Sequence, residues 1–152
     1  MSLTSVVPNL IDALVTAATT ALPDVAVFDG AATEMAEGPM LFVGVDDPEI
    51  TSWVAASSTQ EWALATMTAR NEQVTITCAV STYAGDLAMK TPRDQAFSIA
   101  GTVQGLLRDP ATFASISGLL FASYEKQTFR QYHDGLGSWC LLTFQLEFKA
   151  RI

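Results

Sequence analysis

The strongest constraint on this chain is its last stretch, where Cys140, Leu142, Phe144, Leu146, Phe148, Ala150 and Ile152 alternate with Leu141, Thr143, Gln145, Glu147, Lys149 and Arg151. A period of two sends the first set to one side of a β-strand and the second to the other. The segment therefore belongs in a sheet with one buried face and one wetter face, the arrangement of an antiparallel sheet covered on one side. Some other part of the chain has to supply the cover.

Two segments have the period of a helix instead. After Pro8, the residues Leu10, Ile11, Leu14, Val15, Ala18 and Leu22 recur at steps of three and four, and Pro23 predicts the stop. Further on, Thr91 as N-cap, Pro92 at the first helical position and Asp94 in the first turn announce a second helix. Its stripe is Ala96, Ile99, Ala100, Val103, Leu106 and Leu107, and it ends at Asp109-Pro110. Between the helices, VAVFDG (25–30) and PMLFVGV (39–45) read as short strands, with Asp29-Gly30 marking a turn. Residues 46–60 (DDPEITSWVAASSTQ) have the composition of a long surface loop, and 61–69 with 74–80 read as a hairpin turning at Arg70-Asn71. A strand near 119–131, a turn at His133-Asp134-Gly135 and the closing strand complete the order α-β-β-β-β-α-β-β. The expectation is one α+β domain over 1–152, with a mostly antiparallel sheet of about six strands packed by two main helices. With 152 residues, 49% of them hydrophobic and 16% charged, the chain has the apolar surface that such a core demands.

Charge excludes some functions and suggests others. Eight Lys and Arg against 16 Asp and Glu give a net charge of -8, which disfavours a nucleic-acid reader. Residues 1–69 contain nine acids (Asp12, Asp24, Asp29, Glu34, Glu37, Asp46, Asp47, Glu49, Glu61) and no base, whereas 70–152 balance eight bases against seven acids. If those halves separate in space, unlike faces favour head-to-tail contacts between copies. Two cysteines, Cys78 and Cys140, are too few for a secreted disulfide scaffold. No run reaches the length of a membrane span, and the opening MSLTSVVPNLIDALV lacks the basic region of a signal peptide. The expectation is a soluble, unexported protein.

Catalytic patterns are weak. The single histidine, His133, falls in an expected turn, no GxSxG surrounds a serine, and one His with two distant Cys does not make a zinc site. Asp46, Asp47 and Glu49 lack the spacing of a calcium loop, and Gly135-x-Gly137 precedes a strand rather than a helix. The expected inward faces (Val74, Ile76, Cys78, Val80 and Leu142, Phe144, Leu146) carry no acid or His. What stands out is aromatic residues in polar company: Trp53, Trp62, and Phe129 with Tyr132 around Arg130. Trp, Tyr and Arg dominate interface hot spots; core packing is the competing reading, particularly for Trp62 and Phe129.

In order, VPNLIDALVTAATTALPDV, VAVFDG, MLFVGVDDP, the Arg-x-Glu turn of ARNEQVTITCAV, YAGDLAMKTPRDQAF and a closing strand ending FKARI resemble the small tail terminator, or tail completion, proteins of long-tailed bacteriophages, especially those of actinobacterial hosts. The resemblance spans nearly the whole chain, and its motifs are structural. It implies a virion protein that forms a ring, typically a hexamer, on the last ring of the tail tube, stops tube growth and offers the head-joining surface. The implied partners are further copies of the chain, the tail tube protein and the head-tail connector, with genomic DNA passing through the ring. No cofactor, metal, membrane or enzymatic activity is implied. The implied location is the head-proximal end of the virion tail, reached from the host cytoplasm.

Residue type then suggests Asp46, Asp47, Glu49, Trp53 and Val54 as a loop contacting a neighbour or the tube, with Arg130, Tyr132 and Arg151 as complements. Two alternatives stay open: a head-side connector or neck protein, and a small ligand-binding or enzyme domain with a curved sheet around a helix, similar to the nuclear transport factor-like cone.

Overall fold

A computed structural model describes residues 4–32, 38–46, 54–64 and 68–152. Among these the chain forms α1 (Val7–Ala21), β1 (Ala26–Asp29), β2 (Met40–Val43), β3 (Ala56–Trp62), β4 (Arg70–Ala84), α2 (Lys90–Arg108), β5 (Leu119–Asp134) and β6 (Gly137–Arg151). The order and the α+β class are those expected. The strands make one six-stranded sheet ordered β1-β2-β4-β6-β5, with β3 also paired to β4. Every pairing is antiparallel except β1 with β2.

β4 and β6 form the centre, in register from Asn71↔Arg151 to Ala84↔Ser138. Their inner positions, Val74, Ile76, Cys78 and Val80 with Cys140, Leu142, Phe144, Leu146, Phe148 and Ala150, are buried in one core cluster. The helices supply the cover: Leu10, Leu14 and Ala18 of α1, and Ala96, Ile99, Ala100, Val103 and Leu107 of α2, join the same cluster. Both helices therefore lie on one face of the sheet, as the period-two pattern of β6 required.

Several local expectations are corrected. β3 occupies residues expected to be loop, and the connection to β4 falls after Trp62, so Arg70 and Asn71 lie inside β4. β3 is an edge strand exposed on both sides, so its residues Ser57–Glu61 have no core face to impose an apolar period. Trp62 is 64% exposed rather than in the core, whereas Phe129 does pack against it. α2 starts one residue before Thr91, with Met89 as N-cap and no side-chain cap bond. Pro92 is buried, and Asp94 bonds Lys90 on the helix surface instead of capping. β5 runs on through His133 to Asp134, leaving Gly135-Leu136 as a two-residue turn.

The inner face also holds one carboxylate that sequence patterning missed. Glu72, only 1% exposed, accepts from the Ser5 hydroxyl and from the Val6 backbone N–H at 3.0 Å. Those donors sit where α1 begins, so Glu72 tethers the start of the helix to the sheet and complements its positive end. It has a structural task there.

Candidate assembly surface

The face of the sheet away from the helices is graded from one end to the other. Pairing aligns Tyr83, Trp139 and Tyr132 in one row and Ser81, Leu141 and Arg130 in the next. Beyond them come Ala79, Thr143 and Thr128, and at the far end Gln73, Lys149 and Phe121. Phe28, Phe42, Val45, Ala79 and Leu141 form a second, smaller core on this face. Side chains grow more polar toward Arg151.

At the aromatic end, Tyr132 and Trp139 lie nearly parallel with ring centroids 6.1 Å apart, and Trp139 meets Tyr83 at 4.4 Å. The Tyr83 hydroxyl donates to the Leu136 carbonyl at 2.6 Å, and the Trp139 indole N–H donates to the Asp134 carboxylate. The Leu136 N–H above all, with the Trp139 indole and the Gly137 N–H, holds the Asp134 carboxyl below its ordinary value. Tyr132 is thus one rung of a ladder that pins the β5–β6 turn.

The expected site residues divide between several places. Arg130 and Tyr132 are exposed neighbours at the upper end of β5. Arg151 lies near the opposite end of β6, where its Nε donates to Asn71 Oδ1 at 3.2 Å. That places it about 33 Å from the Arg130 level, at roughly 3.3 Å per strand residue. Val54 is exposed ahead of β3. Asp47, Glu49 and Trp53 lie outside the described residues. Asp46 lines a polar hollow of about 140 Å³ together with Thr77, Lys126, Thr128, Thr143 and Gln145. Its Oδ1 is buried and has no hydrogen-bond partner among the described residues. A polar hollow of that size suits ordered water, and the base it shares is Lys126 rather than Arg130.

Cysteine chemistry finds no foothold. Cys78 and Cys140 are free and buried, and burial pushes the Cys78 thiol up to about 12, leaving it protonated and unreactive. His133 is exposed on β5.

What the fold does organise is charge. All eight bases belong to β4, α2, β5 and β6, and none to α1, β1, β2 or β3. β1 and β2 stand on one side of β4, and β6 and β5 on the other. Among the described residues, exposed Asp24 and Asp29 flank the β1 edge and exposed Lys126 and Arg130 stand on the opposite edge, β5, while Asp46 shares its hollow with Lys126 on the β5 side. Sequence reasoning picked out Arg130 but not Lys126, Asp24 or Asp29, although the charge imbalance between the halves already pointed to them.

No protein-family model matches the chain, and no curated protein matches it in a sequence search.

Proposed function

We propose that this chain is a structural virion protein that assembles head-to-tail into a ring at the end of a phage tail tube, stops its polymerisation and provides the head-joining surface. The observation that carries this reading is the placement of exposed Asp24 and Asp29 at the β1 edge and of exposed Lys126 and Arg130 at the β5 edge. A subunit with exposed acids at one sheet edge and exposed bases at the other carries local patches complementary to its own copies in a head-to-tail sense, and such contacts generate rings when the rotation closes. The ordered resemblance to tail terminators supplies the place of the ring; its partners would be the tail tube protein and the connector. An acidic subunit also suits a channel through which DNA slides without sticking. This role requires no catalytic group or cofactor.

Removing the gene from its phage tests the reading. Overlong tails beside full, unattached heads are expected. Normal free tails with leaking heads would instead assign the chain to the neck.

A further inference from the structure

We propose that the outer edge of β5, over Gln127–Arg130, docks on the outer edge of β1 in a second copy of this chain, continuing the sheet from subunit to subunit. The proposal rests on the ring reading above and names the surfaces that would make its contacts.

Three observations meet in it. First, among the described residues both strands end the sheet, and the outer side of an end strand is a ready template for another strand. The upper half of β5 is in unbroken register with β6 from Gln127 to Asp134, beyond the irregularity between Tyr124 and Gln127. Second, the directions fit. β1 runs parallel to β2, and β2, β4, β6 and β5 alternate, so β1 runs opposite to β5. A copy standing alongside in the same orientation presents β1 antiparallel to β5.

Third, the charges fit at matching heights. Following the pairs across the sheet, Arg130 is level with Leu141, Ser81, Met40 and Ala26, and Gln127 with Phe144, Cys78, Val43 and Asp29. In a ring whose axis follows the strands, Gln127–Arg130 would therefore face Asp29–Ala26 of the next copy. Arg130 then lies toward Asp24 and Lys126 beside Asp29. All four charged side chains are exposed. Glu125, held by the Ser123 hydroxyl at 2.6 Å, and exposed Asp134 at the end of β5 balance Lys126 and Arg130 over the strand as a whole, so the complementarity is local to the facing pairs. On the helix side of β5, half-exposed Phe97 against Phe129, with centroids 5.0 Å apart, offers an apolar shoulder to the same neighbour.

The test exploits head-to-tail geometry with two variants of the full chain, K126E/R130E and D24K/D29K, studied by sedimentation at low and high salt. Wild type is expected to assemble, and to do so less readily as salt rises from about 0.05 to 0.5 M. Each variant alone sets like charges against each other and should require about tenfold or more protein to assemble. Mixed together they restore both contacts, because the acidified β5 edge meets the basic β1 edge and the unaltered edges meet as before. Alternating assemblies should therefore return on mixing. Variants that assemble as wild type does, or a mixture that stays apart, would overturn the edge contact while leaving the ring reading in place. A wild-type chain that stays monomeric, or stops at a closed two-fold dimer, overturns both. If K126E disturbs the neighbourhood of Asp46, R130E with D24K repeats the test.

Discussion

Glu72 shows how one side chain can be misjudged from its neighbours in sequence. It falls on the inner face of β4, two positions before Val74, where the alternation calls for an apolar residue. The fold answers its burial with two donors from the start of α1, Ser5 Oγ and Val6 N–H. Glu72→Ala leaves those donors without their acceptor and is expected to lower stability by about 1–3 kcal/mol, measured by urea unfolding. Glu72→Gln, which keeps one acceptor oxygen, should lose less. Asp134 gives a pH signature. Its carboxyl is depressed in the folded state, so its contribution is present above the unfolded value near 3.8 and is lost as pH falls through the lower folded value. Asp134→Asn should therefore remove part of the acid-induced fall in melting temperature while changing little of its pH dependence near neutrality, as a series of melting curves would show.

At the level of elements, legibility followed burial. α1, α2 and β6 each present one apolar stripe to the core, so their periods are visible in sequence, and each was placed to within a few residues. β3 has no buried face, and its Ser, Thr, Gln and Glu resemble a loop because it is held chiefly by backbone pairing with β4, from Ala56↔Ile76 to Trp62↔Arg70, with Gln60 donating to the Thr4 carbonyl at 2.7 Å. The parallel pairing of β1 and β2 left no mark on their side chains either. One backbone constraint does define an element's end. Gly118 adopts φ +84°, and a Cβ there would strike the Arg151 carbonyl oxygen, while its own carbonyl accepts from Arg151 N–H at 2.8 Å. Gly118→Ala combines left-handed strain with that clash and should cost about 2–3 kcal/mol in urea unfolding. Gly101→Ala, in open space on α2, is expected to be neutral or stabilising.

For the molecule as a whole, the sequence revealed the charge imbalance but not its geometry, since nothing local says whether two halves of a chain will intermix. The order β1-β2-β4-β6-β5 sets Asp24 and Asp29 by one edge and Lys126 and Arg130 on the other, although Asp46 shares a hollow with Lys126. The candidate loop was less legible: it gathered acids and a tryptophan by adjacency in sequence, whereas the fold directs Asp46 toward Lys126 and sets Arg151 far from Arg130. The same strand order has a mechanical consequence. β6 lies between two long neighbours and is hydrogen-bonded along nearly its whole length to both, with Arg70 and Ile152 exchanging backbone bonds at its end. A load applied along β6 would have to shear both ladders together, whereas one applied across the sheet at β1 would peel a four-residue strand rung by rung. The subunit is thus built stiff along its strands and yielding at one flank, so tension along the strand direction would be borne by its most interlocked part.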